Sequence, residues 1–380
     1  MNEPALALSG IRVLEFSHAV MGPMSGLTLA DLGAEVIKVE PFPNGDPTRQ
    51  LKGFGSGFFT FYNRNKKSIV VDIKNQAGLE YVYKMVKKTD VVIENFSPGM
   101  MDQLGLGYEN LREINPSIVY CGLKGFLSGP YENRKALDEI IQMMTGLAYM
   151  TGKPGEPLRV GASILDVLAG SFGVIGILVA LRERERTGIG KRVRVGLFET
   201  GAFLMGQHLA YSAIEGKPIL PMSERVSSWG IYDLFYSSSG ELIFIGITSS
   251  PQWESFCKAF DQIELLKDER LTTNEGRCAC RLWLIPHIQA LLAKMDMDHI
   301  LNLCGIAEIP FAPVGTPENL LKDKQMVEGK NLLETKLPNG IYGLLPGLPI
   351  ELDGEKPILR NQPPSVGKDT VDLFDFFSNG

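Results

Sequence analysis

Positive charge is in short supply in this chain. Lys and Arg number 38 against 44 Asp and Glu, for a net charge of −6 and a pI near 5.5. A nucleic-acid binder needs an excess of Lys and Arg, so the expectation is no nucleic-acid partner. Cysteine is also scarce. Five in 380 residues cannot build a disulfide scaffold, and an odd number leaves at least one unpaired, which fits a reducing compartment. Long apolar runs are missing too. The densest, FGVIGILVAL from Phe172 to Leu181, is followed at once by Arg182. It is about half of the ~20 residues that cross a bilayer. The start, MNEPALALSG, has no basic n-region and no apolar stretch suited to a signal peptide. A cytoplasmic protein with no membrane partner is expected. What is plentiful is core-forming material: 44% apolar and 22% charged residues, enough for about two or three domains.

The pattern along the chain is strand, helix, strand. IRVLEF (11–16) reads as a buried strand, MSGLTLADL (24–32) as a helix stopped by Gly33, and EVIKVE (35–40) as the next strand. Such a βαβ unit implies parallel pairing. SIVVDI (68–73), VVIEN (91–95) and IVYCGLKGF (118–126) continue as strands, with helices over 76–88 and 108–114. The expected fold class is α/β, a doubly wound sheet. The turn after the first strand is S-H-A-V-M-G-P, not G-x-G-x-x-G, so NAD is not supported. A long helix is predicted over 167–186, its basic RERER tail suited to the helix macrodipole. A strand KRVRVGLFE (191–199) and a helix over 200–214 follow. Residues 215–228 read as a linker. From 229 to 330 the pattern is α+β: strands GIYDLFYS and ELIFIGIT around SSSG, then helices over 251–260 and 280–294. The tail has a strand-like ILR near 358 and a last helix, VDLFDFF. The domain reading is a large domain over 1–214, completed by 331–380, and a small one over 229–330.

Eight stretches, in order, resemble the formyl-CoA transferase/CaiB family, the family III CoA-transferases. They are VLEFSHAVMGP (13–23), LADLGAEVIKVE (29–40), FTFYNRNKKSIVVDIK (59–74), VVIENFSPGMMDQLGLGYENL (91–111), GLKGFLSGPYENRKALDEIIQMMTGL (122–147), GASILDVLAGSFGVIGILVALRERERTGIGKRV (161–193), GIYDLFYSSSGELIFIGITSSPQWESFCKAF (230–260) and IPFAPVGTPENLLKD (309–323). The resemblance implies a Rossmann-like large domain with a parallel sheet, a smaller α+β domain and an interlocked homodimer. It implies transfer of CoA from an acyl-CoA to a free carboxylate, with CoA thioesters as substrates and no tightly bound cofactor.

By that resemblance Asp166, in G-A-S-I-L-D, is the nucleophile. A helix N-terminus favours an ionised carboxylate, and a carboxylate must be ionised to attack a thioester. The ordinary reading of such a residue is an N-cap. For CoA and substrate, His18 and Ala19, Lys74, Asn95 and Phe96, Lys135 and Asp138 match family positions. Without the family, Lys74 is a solvated lysine, Phe96 is core packing and His18 is a loop histidine bonded to backbone.

Three departures bear on the substrate. Val20 stands where a family member has Gln, and Gln103 where many have Arg. The glycine loop of formyl-CoA transferases is absent, with SSSG (237–240) in a similar region. The missing loop favours a larger acyl group, such as a dicarboxylic succinyl-CoA type. Arg49 and Arg225 are candidates for its second carboxylate. The alternatives are a transferase for monocarboxylates such as carnitine-like acids, and a 2-methylacyl-CoA racemase. A racemase needs a histidine in a G-H-D segment, and that position holds Leu137. A non-catalytic CoA-binding protein would need no nucleophile. No metal is expected, since Cys278-Ala-Cys280 lacks a second pair at zinc spacing.

Overall fold

The computed structural model describes residues 6–224 and 227–379. The chain divides into two compact units, Met1–Glu224 with Lys324–Gly380, and Arg225–Asp323.

The first unit begins with β1 (Arg12–Phe16), α1 (Met21–Asp31), β2 (Glu35–Pro41), α2 (Phe58–Tyr62), β3 (Lys67–Val71), α3 (Gln76–Val86), β4 (Val91–Glu94), α4 (Met100–Gln103), α5 (Tyr108–Ile114) and β5 (Val119–Lys124). It continues with α6 (Asp138–Met144), α7 (Leu147–Thr151), α8 (Ile164–Thr187), β6 (Arg192–Gly196), α9 (Leu197–Leu204) and α10 (Gly206–Glu215). The six strands form one parallel sheet in the order β3-β2-β1-β4-β5-β6. That is the Rossmann order, reversing direction between β1 and β4. Both faces are covered, which explains why the strands read as nearly continuous apolar runs. Alternate side chains serve two cores. Val13, Val36, Val91 and Ile93 meet α1 and α8 on one face. Leu14, Ile37, Val92 and Tyr120 meet α3 and α5 on the other.

The long helix α8 packs on α1, β5 and β6. It is 24 residues long, starting three residues before the predicted 167–186, and is apolar enough by length and composition to cross a membrane. Its buried residues, among them Leu165, Ala169, Gly173 and Ile177, belong to the core over the sheet. Two glycines bring α1 and the sheet close. A Cβ on Gly170 would lie 2.7 Å from the Met21 carbonyl oxygen, and one on Gly173 2.9 Å from Leu123. The Ser25 hydroxyl donates to the Gly170 carbonyl at 2.8 Å. This contact ties α8 to α1 one turn beyond Asp166.

In the second unit β7 (Ile231–Tyr236) and β8 (Leu242–Ile247) form the expected hairpin, closed by Ser237–Gly240. Then come α11 (Ser250–Ala259), α12 (Ile263–Leu266), α13 (Asn274–Ala279), α14 (Arg281–Leu292), α15 (Met297–Ile306) and β9 (Phe311–Pro313). The antiparallel order is β7-β8-β9. Trp253, Phe256, Leu284, Ile288 and Ile300 fill its separate core.

The chain then returns to the first unit through α16 (Lys324–Val327), β10 (Leu332–Lys336), β11 (Tyr342–Pro346) and α17 (Thr370–Asn379). This tail covers the edge strand β3: the Asp369 carboxylate accepts from the Ser68 N–H and the Thr370 hydroxyl from the Val70 N–H. Two readings need correction. The predicted strand over 191–199 stops at Gly196, and Leu197 starts a helix, because Thr200 turns its hydroxyl back onto the Gly196 carbonyl. The segment near 358 is not a strand. Its backbone is held by one side chain, Asn65, which donates to the Ile358 carbonyl and accepts from the Arg360 and Asn361 N–H groups. The β10–β11 hairpin was not foreseen.

Candidate active site

The carboxyl ends of β1, β2 and β3 open into a cleft lined by Phe16, Val39, Val71, His18 and Phe96. Ligands of open α/β sheets bind at such an edge, where the strand order reverses. His18 and Phe96 follow β1 and β4, the two strands at the reversal, and their ring centroids lie 5.8 Å apart. The loop carrying His18 is clamped by Asn95. Its side-chain oxygen accepts from the His18 N–H at 3.0 Å, and its amide donates to the His18 carbonyl at 2.9 Å. The next residue, Ala19, has φ +62°, the left-handed region that only glycine enters without strain. The Phe96 end is fixed by a residue that sequence reasoning passed over. Lys124 donates to the Phe96 carbonyl at 2.8 Å and pairs with Glu94 at 2.6 Å.

Beneath the cleft lies a buried charge network. Lys38 contacts Glu15 at 3.2 Å, Asp46 at 3.0 Å and the Ser17 carbonyl at 2.7 Å. Lys66 contacts Glu15 at 2.7 Å, the Pro23 carbonyl at 2.9 Å and Asn63 at 3.0 Å. Burial works against the Glu15 charge, but Lys66 and Lys38 outweigh it and hold Glu15 below its ordinary value. Asp46 is likewise held down against burial by Lys38 and by the Thr48 N–H. Burial brings Lys66 down to about 8 despite Glu15 beside it. Burial also lowers His18, against the pull of Asp46, which favours a neutral imidazole in the cleft.

Asp166 stands in the first turn of α8, as expected, but not in the expected electrostatic setting. The free N–H groups of that turn do not serve it. The carboxylate of Asp138, at the start of α6, accepts from the Leu165 N–H at 2.8 Å and from the Asp166 N–H itself at 3.0 Å. Gln142 donates to the other Asp138 oxygen at 2.5 Å. The helix start is thus capped by a distant carboxylate. Asp166 is half-buried beside it, and burial, then the charges of Asp138 and Glu139, push its carboxyl up to about 7. A carboxyl that titrates near neutrality and is poorly solvated is suited to covalent chemistry. Tyr62, at the end of α2, faces the same charges. Burial, then Asp166 and Asp138, raise its phenol to about 12. This tyrosine lay inside FTFYNRNKKSIVVDIK without being singled out, because nothing local marks it.

The other expected residues fall in several places. Lys74 is exposed just beyond Ile73, a residue of the cleft wall. Lys135 is exposed in the loop before α6, and Gln103 is exposed at the end of α4. Val20 is buried at the foot of α1. Leu137 caps α6 and is 64% exposed. Arg49 has a different partner from the one expected. Its fork is bidentate on Glu40, at 2.6 and 2.8 Å, it donates to the Pro364 carbonyl, and its guanidinium lies 3.5 Å from the centre of the Phe59 ring. That fork has no free edge for a substrate carboxylate. Arg225 lies outside the described residues. The cysteines are free, and Cys121, Cys257 and Cys304 are buried.

Comparison with known proteins agrees with this geometry. The model of CoA-transferase family III matches residues 8–370. A succinate–glutarate CoA-transferase of Agrobacterium fabrum is 31% identical over 94% of this chain and 90% of its own. An acetyl-CoA:oxalate CoA-transferase of Acetobacter aceti is 34% identical over 93% of this chain and 90% of its own. The crystal structure of a CaiB/BaiF family protein from Brucella suis is 31% identical, with a TM-score of 0.86 over 98% of this chain and all of that one. With a parallel α/β sheet whose cleft opens at the strand reversal and a family model that matches nearly its whole length, this chain is an enzyme of CoA-transferase family III.

Proposed function

We propose that this enzyme moves CoA from a dicarboxylic acyl-CoA, succinyl-CoA in the first instance, to a free carboxylate, with Asp166 as the nucleophile. The observation that carries this reading is Asp166 in the first turn of α8, its backbone N–H taken by the Asp138 carboxylate and its own carboxyl pushed up to about 7 by burial and by that neighbouring charge. The ionised Asp166 attacks the donor thioester carbonyl and CoA thiolate leaves, giving an acyl-aspartyl anhydride. The thiolate attacks the aspartyl carbonyl, releasing the donor acid and leaving an Asp166–CoA thioester. The acceptor carboxylate attacks that thioester and expels the thiolate, forming a second anhydride. The thiolate then attacks the acceptor acyl carbon, which yields the new acyl-CoA and restores the carboxylate. No proton is gained or lost over the cycle.

The cleft takes the nucleotide end of CoA in this reading. His18 and Phe96 offer aromatic faces, Asn95 and Ala19 hold their loop, and Lys74 and Lys135 supply exposed ammonium groups for phosphate. Asp138 acts through Asp166 as a positioning residue. The dicarboxylic choice draws on relatives named for glutarate and oxalate transfer. The racemase reading finds no support at Leu137, which cannot carry a proton.

The homodimer belongs to the same proposal. Val179, Phe203, Leu209 and Ile214, on α8, α9 and α10, are each more than 60% exposed, and apolar side chains this open on neighbouring helices ask for a partner surface. The free thiols support a reducing, cytoplasmic setting.

Intact mass spectrometry with succinyl-CoA, followed by hydroxylamine or borohydride, tests the chemistry. A CoA adduct or its trapped derivative on Asp166, absent in Asp166→Ala, is the expected result. Exchange of an α-proton with solvent deuterium, without any adduct, overturns it.

A further inference from the structure

A transferase of this kind must hold an acid as well as CoA, and the first unit contains a second cavity, distinct from the cleft. It measures ≈ 470 Å³. Its walls are largely apolar, with Leu27, Phe61, Leu333 and Leu348 among them. Two lining residues tie it to the reactive carboxyl. Val167 is next in the chain to Asp166, and Tyr62 lies within reach of the Asp166 charge.

The charges lining this cavity have one sign. Arg64, Lys330 and Lys356 contribute to it, and among the described residues no acidic side chain does. Two of the cations are already engaged. Arg64 is buried against Asp31 at 2.6 Å. Lys356 donates to the Gly329 carbonyl at 2.7 Å and to the Asn331 side chain at 2.8 Å. Those contacts bracket Lys330 and pin the turn that bears it. Asn331 pins it further, by donating to the Gln325 carbonyl and accepting from the Gly347 N–H. Lys330 itself is exposed, and its ammonium has no hydrogen bond or ion pair among the described residues. The turn holds a free cation at an apolar cavity that Val167, in the first turn of α8, also lines. An occupant that satisfies both ends has an apolar body and an anionic group remote from its reacting carboxylate.

We propose that this cavity is the subsite for the carboxylic acid, and that Lys330 selects dicarboxylic acids by pairing with the carboxylate that does not react. This rests on the reading of Asp166 given above and adds the residue that reads the substrate.

Glutarate binding to the CoA-free protein, measured by calorimetry, tests it without any turnover. Wild type is expected to bind glutarate about 10-fold tighter than pentanoate, the monocarboxylate of equal length. Lys330→Met is expected to lose that preference while melting at the same temperature, and Lys330→Arg to keep it. Equal glutarate affinity in wild type and Lys330→Met overturns the proposal, as does no glutarate binding at millimolar concentration. Displacement of glutarate by adenosine 3′,5′-bisphosphate also overturns it, since the cation would then serve a CoA phosphate. Succinyl-CoA:glutarate transfer separates the two readings. Lys330-dependent binding with no transfer and no Asp166 adduct leaves the subsite standing and removes the transferase mechanism. Transfer with an unchanged glutarate KM in Lys330→Met does the reverse.

Discussion

The cleft floor and the start of α8 both bury carboxyl groups in the same unit, and they treat them in opposite ways. Under the cleft, Glu15 lies between Lys38 and Lys66, and Asp46 beside Lys38. Each carboxylate is compensated, and each is held below its ordinary value. At the start of α8, Asp166 has carboxylates for neighbours and no cation at ion-pair distance among the described residues. The backbone N–H groups that would have stabilised its charge are taken by Asp138. Burial alone therefore does not make a group reactive. Compensated burial gives a fixed, silent charge that shapes a surface. Uncompensated burial beside like charge gives a group whose ionisation falls within the working pH range.

Three perturbations sharpen that contrast. The largest effect is expected at the floor. Glu15→Gln leaves Lys38 and Lys66 buried without their shared partner, and stripping one member from a buried ion network costs about 3–5 kcal/mol. Thermal unfolding is expected to show a melting temperature lower by on the order of 10 °C. The exposed pair Lys267–Glu264 serves as control, and Lys267→Gln is expected to melt with wild type. An equal effect at both sites removes the distinction.

The second perturbation concerns the helix start. In the proposed mechanism CoA transfer requires ionised Asp166, so the rate is expected to fall as pH drops through about 7. Asp138→Asn keeps an oxygen for the Leu165 and Asp166 N–H groups and removes the neighbouring charge. The acidic limb of the pH–rate profile is expected to move down by about one unit. A limb that stays in place means that desolvation alone sets the Asp166 titration.

The smallest effect is on stability. The folded-state titration of Asp166 is raised above its unfolded value, so the folded form holds the proton more tightly. Its unfavourable contribution is absent below about pH 3.8, grows between there and about 7, and is complete above 7. Asp166→Asn relieves it. The variant is expected to melt a few degrees above wild type at pH 8 and to lose that gain near pH 4. A gain that does not depend on pH points to packing and not charge.

How much of this could be read beforehand differs by kind of residue. The strands of the parallel sheet were legible because both faces are buried, so each strand is a short apolar run between turn residues. The helix α8 was legible from its length, its basic tail and Gly188 at its end. The segment near 358 was misread because its conformation is dictated by Asn65, about 300 residues away, and no local pattern encodes that. Asp166, His18 and Phe96 were singled out as candidates through motif resemblance. Tyr62, Lys124 and Lys330 were not, since each becomes a candidate only through residues brought beside it by folding. Arg49 looked available in sequence and is engaged by Glu40 in space.

The sequence by itself determined the parallel α/β fold, the family and the position of its acidic candidate, because periodicity and motifs are local properties of the chain. Only the tertiary structure decided what that acid is. An aspartate at a helix start is by default stabilised as an anion by the N–H groups of the first turn. Here α6 delivers Asp138 to those N–H groups from 28 residues upstream, and the charge that would have been stabilised is raised in energy. Through-space electrostatics sets that sign, and it depends on which side chains the fold places within a few ångströms.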